Sequence, residues 1–521
     1  MIASGPLDEC DCAKAAAKSL PSSTIYVSFL GTAPGDRANL EAAFTFALNS
    51  TTFRRKPIYL VPVIGKSQTL YRIDYEELEW SLESVKRLLA NEPYFYSLDP
   101  SVPIVRADWF VREATFGATY YDLLQMGKTA STLEKRVGLD RKTAENLRAR
   151  HGARVIDSGV AFHARGIERL GSTLGSYWIT HDGATAVKTN PFEKIDELIF
   201  KQADAHEIFG QLPNGLFWFA LSNAKGELQN AAPISIAADR RDYRASKELK
   251  DIVKERPSFK TLEIQNAHSC YGCHALGLRD APDFVAGIAA EDKLKVRFKD
   301  RKIQGQVEDF FDARSQSEAM AFESKAYQRS VERITGMPAL QSANTFACVR
   351  WKIAEAPVTK ADAAAELNVD AQEFEKACQA PDELRLGIAY WLIGQSDTRN
   401  AQAVLGLPDD GYKAFLEGQA VPLGSSTLRA FAKGPSISRD LWESVAYREA
   451  SLLICYQKKP RSASVDEVRR RAKALPLKTG EAAPHKIGAV DQSILRSTDA
   501  RTGAPIEFNK ETGQWQFSKG G

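Results

Sequence analysis

The first quarter of the chain mixes strand-like and helix-like patterns. "TIYVSFL" (24–30) and "IYLVPVI" (58–64) are short apolar runs of β-branched and aromatic residues, the texture of buried strands. Between them "ANLEAAFTFALNS" places apolar residues at helical spacing. "TLYRIDYEELEWSLESVKRLLA" reads as a strand running into an amphipathic helix, and residues 112–155 read as helical. From 156 to 240 the period shortens: "GSYWITHD", "EIFGQL" and "LFWFALSNAKGEL" are short runs broken by Gly, Asn and Pro. The "SNAKG" within the last run carries the residues of a hairpin tip. Helical spacing returns after residue 274 and continues to 457, and the terminal "EFNKETGQWQFSKGG" predicts a small hairpin with a tail.

These patterns predict an α+β protein. A flexible N-terminal segment (1–20) precedes a mixed α/β region with a helical hairpin (21–155) and a β-rich region (156–262). A mainly helical region (263–480) and a C-terminal tail with a small hairpin (481–521) complete the chain. Residues 132–150, 362–379 and 401–418 each outline two helices joined by a turn, which is also the outline of a DNA-binding motif. Only the first has a basic second helix, so we read all three as compact helical corners.

Composition narrows the classes further. With 26% charged residues and a net charge of +3, the chain lacks the basic excess of a nucleic-acid binder. No apolar run approaches the roughly 18 residues that span a bilayer. "VIGKSQT" resembles a phosphate loop only superficially, because Leu60 stands where the first glycine is required. The N-terminus has neither the basic nor the apolar stretch of a secretory leader. The chain is therefore either cytosolic or a mature form.

The strongest chemical signal is "NAHSCYGCHALGL" (266–278), with Cys270, Cys273 and His274 as Cys-x-x-Cys-His. Two thiols on one helical turn reach the two vinyl groups of a porphyrin, and the adjacent imidazole reaches the iron. A zinc site would need two more soft ligands at similar spacing, but Cys348, Cys378 and Cys455 are solitary. A redox dithiol would follow a strand and open a helix within a βαβ unit, which the flanks do not supply. Haem c is the leading expectation, with zinc, dithiol and chance as its rivals.

The second axial ligand is less determined. Met337, in "ITGMPAL", has the Gly-Met-Pro setting of a loop that presents a distal methionine, or it simply ends a helix. Met320 is mid-helix and a poorer candidate. His268 is too close to the motif to reach the opposite face. His163, His181 and His206 would need domain packing to reach the haem. Cys348 and Cys378 are either a disulfide pair or two buried thiols, while Cys10 and Cys12 are expected to be disordered or paired elsewhere.

Separated pieces of the chain resemble a broad family of large bacterial proteins with a single Cys-x-x-Cys-His, frequent in planctomycetes and proteobacteria. The likeness is carried by "ALNSTTF" (47–53), "LYRIDYEELEW" (70–80), "VRADWF" (105–110), "SGV" (158–160), Trp178, "LPNGLFWFAL" (212–221) and "AAPISI" (231–236), ahead of "SCYGCH". It spans residues 20–280, with a looser echo at 359–374. His268 and the Tyr271-Gly272 spacer depart from it. The resemblance implies a periplasmic or otherwise extracytoplasmic haem protein and brings no established reaction.

The expected function is a monohaem c-type cytochrome passing electrons to a redox partner protein. Cys270 and Cys273 hold one haem c, His274 is the proximal iron ligand and Met337 the distal one. The alternatives are a haem enzyme with an open distal face, acting on peroxide, O2 or a small nitrogen oxide, and a haem-containing structural subunit of a larger assembly. For the enzyme, His163, His206 and Arg165 are distal groups by residue type.

Overall fold

The computed structural model describes residues 5–63, 68–140, 152–184, 198–200, 203–238, 263–285, 299–354, 356–394, 396–419, 421–424 and 426–458, with short strands at 192–194, 496–498, 505–509 and 514–517. Helices and several sheets are both present, so the fold is α+β. Among the described residues no helix is long and apolar enough to cross a membrane.

The first sheet is built around β1 (Thr24–Ser28), which is buried along its whole length. It lies between β3 (Leu70–Asp74), which runs antiparallel, and β4 (Ile104–Arg106), which runs parallel, with β2 (Val61–Pro62) at the edge. Among its described residues the "IYLVPVI" run therefore contributes two strand residues, and both are exposed. Pro62 has no N–H for a ladder, which suits an edge and not a buried strand. The expected helix forms over Arg37–Asn49. Asn49 at its end and the polar residues that follow it are buried because their side chains meet backbone: Asn49 Nδ2 donates to Ile58 O at 2.8 Å, Thr51 Oγ1 to Leu48 O at 2.7 Å and Thr52 Oγ1 to Leu78 O at 2.9 Å.

The second sheet has six antiparallel strands. They are β5 (Gly152–Ile156), β6 (Arg165–Ser172), β7 (Gly175–His181), β10 (Ala205–Gln211), β11 (Phe217–Asn223) and β12 (Leu228–Gln229), in the order β12-β11-β10-β7-β6-β5. A separate ribbon pairs β8 (Phe192–Lys194) with β9 (Ile199–Phe200). The Asn223–Gly226 turn closes the expected hairpin, with Gly226 at φ 75°. Residues 152–156, expected as the end of a helical stretch, instead form β5. "GARVI" is short and ends on two β-branched residues, which fit a pleated surface better than a helix.

A 23-residue helix, Ala313–Thr335, crosses one face of this sheet. Met320 touches Arg154 of β5, Glu323 accepts from Trp178 Nε1 of β7, and Tyr327 stacks on Phe217 of β11 at 4.6 Å. Steps of three and four residues keep these side chains on one stripe.

The main hydrophobic core runs from Cys10 to Ile454 and takes in most of both sheets and the C-terminal helices, while Ala153 and Val155 of β5 pack with Val307 and Phe310 in a second, smaller cluster. Within the segment expected to be flexible, Pro6–Ala17 form a helix whose Cys10 and Cys12 lie in the main core. Burial raises the Cys10 thiol well above its ordinary value. A buried charge cluster joins the first sheet to the C-terminal helices. Glu366 accepts from Arg106 Nη1 at 2.5 Å, Arg439 Nη1 at 2.7 Å and Trp442 Nε1 at 2.7 Å. Beside it, Glu443 takes Tyr94 Oη at 2.8 Å and Arg112 Nη1 at 3.0 Å. Strands Pro505–Asn509 and Gln514–Phe517 pair antiparallel, as the terminal hairpin requires.

Candidate functional site

Cys270 and Cys273 lie on one short helix, His268–Cys273, and His274 is its C-cap. The chain enters this helix through strained backbone. Ala267 has φ 58° and ψ −51°, and His268 N–H donates to Asn266 O two residues back at 2.6 Å. This is a γ-turn of the rare positive-φ kind, a conformation that persists only where its surroundings fix it. Asn266 and Ala267 are fully buried, and Asn266 N–H donates to Asn230 O at 2.8 Å.

The spacer between the cysteines anchors the helix. Tyr271 is buried among Phe46, Phe219 and Phe346, and its hydroxyl donates to Phe217 O at 3.1 Å. Tyr120 Oη lies 3.2 Å away on the same phenol. Gly277 then turns the chain at φ 96° against the crossing helix, where an added Cβ would meet Ser324 Cα at 2.7 Å.

That turn orients His274. Nδ1 lies 3.1 Å from Gly277 O, an acceptor, so Nδ1 carries the proton and Nε2 presents a lone pair. The ring packs against Phe209 and Phe219, each at 5.5 Å. Burial pushes the imidazole below its ordinary pKa, against the opposing pull of Glu207. Glu207 Oε1 stands 3.9 Å from Nε2.

Cys270, Cys273 and His274 border one cavity of about 190 Å³. The second sheet forms its other wall with alternate residues of four strands: Arg154 and Ile156, Arg165 and Ile167, Trp178 and Thr180, Glu207 and Phe209. Arg165 donates to Asp182 with two nitrogens, at 2.7 and 2.6 Å, and to Glu207 at 3.1 Å. Arg154 donates to Asp280 at 2.5 Å.

This donor set fits haem c. Both thiols come from one turn on the cavity wall, and Nε2 is the imidazole nitrogen left without a proton when Nδ1 donates to Gly277 O. Among the described residues no three His, Cys, Asp or Glu side chains gather as a metal cluster, so the motif does not converge in the way a zinc site requires.

The other expected residues are dispersed. Met337 does not line the cavity; it follows Gly336, the left-handed cap at φ 71° that ends the crossing helix, and its Sδ lies 3.9 Å from Thr345 Oγ1. Met320 does line it. His181 and His206 project from the opposite face of the sheet, next to one another at 5.2 Å between rings. His163 is half-buried and outside the lining. Cys378 carries no disulfide, and burial pushes its thiol up to about 12.

Glu207, Arg154, Trp178 and Thr180 were not identifiable from sequence. Their signal is strand alternation, which groups them only once the sheet order is known. No protein-family model, curated protein or solved structure matches the chain.

Proposed function

We propose that the chain is an extracytoplasmic monohaem c-type protein that transfers electrons to a partner protein. The observation that carries this reading is the shared cavity: Cys270, Cys273 and the lone-pair side of His274 border one space, with the imidazole held from behind by Gly277 O. A bound haem supplies one-electron iron chemistry. The chain's own residues attach, orient and shield. Phe209 and Phe219 grip the imidazole, and Ile156, Ile167 and Trp178 give the cavity an apolar wall. Arg279 brings positive charge suited to the carboxylates of the ligand, whereas Arg154 and Arg165 are already paired with Asp280 and with Asp182 and Glu207. The extracytoplasmic location follows from the chemistry of thioether attachment and from the family likeness in sequence.

The test is covalent attachment. Protein made behind a secretory leader with haem maturation factors is expected to keep haem-dependent peroxidase staining on a denaturing gel. The Cys270→Ala, Cys273→Ala double variant is expected to lose it. A colourless wild-type protein that binds zinc instead would overturn the reading.

A second reading, a haem enzyme acting on peroxide, O2 or a small nitrogen oxide, is favoured by the charged wall of the cavity. An electron carrier has no need of the Arg165–Glu207 pair in this wall. Rapid, stoichiometric binding of CO by the ferrous protein would favour the enzyme.

A further inference from the structure

We propose that Glu207, and not a methionine, is the side chain that meets the haem iron on the face opposite His274; this rests on the haem c reading above. The starting observation is a mismatch. His274 Nδ1 uses its proton on Gly277 O, so Nε2 is an acceptor, and it faces Glu207 Oε1, a second acceptor, across 3.9 Å. The separation exceeds hydrogen-bond length, so neither group bonds the other directly, and the gap has the width that a cation held by both would span. Metal bonds to imidazole nitrogen and carboxylate oxygen are each about 2.0–2.2 Å, which brings a bridged pair to roughly 4 Å.

Glu207 is built to offer that oxygen. Its Oε2 is committed to Arg165 Nη1 at 3.1 Å, which leaves Oε1 on the His274 side. Arg165 is itself locked by its two bonds to Asp182, and Thr180 Oγ1 accepts the Glu207 backbone N–H at 2.9 Å. Glu207 also sits two residues from Phe209, which packs against the imidazole, so strand β10 carries both groups on one face.

Met320 lines the same cavity but over a different strand, and the other described methionines lie outside its lining. Met320 lies over β5 with Sδ 3.1 Å from Arg154 Nη1. β5 is three strand positions from β10, roughly 14 Å at about 4.8 Å per strand. Met337 is outside the cavity, and Met126 is sealed in the core. A hard, anionic oxygen favours ferric iron where a thioether favours ferrous, so this ligand sets a low reduction potential.

The experiment uses the full chain, matured behind a leader, with haem stain on a denaturing gel for every variant. Ferric electron paramagnetic resonance, absorption and the reduction potential are then measured. Glu207→Gln, which keeps the shape, and Glu207→Ala are expected to stain normally, change the ferric spectrum and raise the potential. Added formate is expected to restore the wild-type spectrum to Glu207→Ala, which a merely structural role would not allow. Met320→Leu and Met337→Leu are expected to leave the spectrum unchanged. A stained protein whose ferric spectrum ignores both Glu207 variants, or whose red thioether band disappears in a methionine variant, overturns the Glu207 assignment alone. Unstained wild-type protein overturns the haem reading and this assignment together.

Discussion

Replacing Glu366 by glutamine is expected to destabilise the protein by about 3 kcal/mol near neutral pH, and the loss is expected to vanish in acid. Burial by itself would raise the pKa of this carboxyl, but the attraction of Arg106 and Arg439 outweighs it and brings the folded-state value to about 2, from an ordinary 4.5. The unfolded chain therefore takes up the proton first as the pH falls. The stabilisation is fully present above about pH 4.5 and is lost as the pH falls through about 2. The difference, multiplied by 1.36 kcal/mol per unit, gives about 3 kcal/mol. Breaking a buried pair from one side costs a similar amount, about 3–5 kcal/mol, because Arg106 and Arg439 remain buried without their shared anion. Urea unfolding of wild type and Glu366→Gln at a series of pH values reads both quantities. A gap below about 1 kcal/mol near pH 7, or a gap that does not narrow towards pH 2, would refute the account of this cluster.

Gly277→Ala combines a left-handed backbone with a contact on the crossing helix, and is expected to cost about 2–4 kcal/mol in urea unfolding; unchanged stability would show that the turn can move. Tyr271→Phe removes the donor to Phe217 O and is expected to cost about 1–2 kcal/mol by the same measurement, with no effect on haem staining. The leaderless chain made in the cytosol without maturation factors is expected to remain haem-free by pyridine haemochrome assay, whereas the same chain exported with those factors is expected to load.

The parts of this protein that were legible in its sequence are those whose signal is local. β1, the Arg37–Asn49 helix and the β3-to-helix unit each carry their own periodicity, and the structure forms them where expected. "IYLVPVI" misled because apolar content does not say whether a strand is central, and Pro62 at the edge decides the matter. Residues 152–156 misled in the other direction, since a helical pattern upstream was carried past its end. At the site, Cys270, Cys273 and His274 stand out in five consecutive residues, and the structure puts all three on one cavity. Met337 stood out for its neighbours, and here Gly336 stops one helix while Pro338 precedes the next, which starts at Ala339. Glu207, Arg154 and Trp178 come from three strands spread over 54 residues, and only sheet register brings them together.

The burial of Cys270 sets an order of events in the making of this protein. In the folded chain this residue is 2% exposed, behind a strained turn, a buried tyrosine and a core that extends to Ile454. Cys270 borders the cavity yet offers almost no surface to solvent. On the haem c reading proposed above, thioether formation would therefore belong to a time window, after the motif has emerged and before the later helices close over it. Maturation would then be a race between attachment and closure.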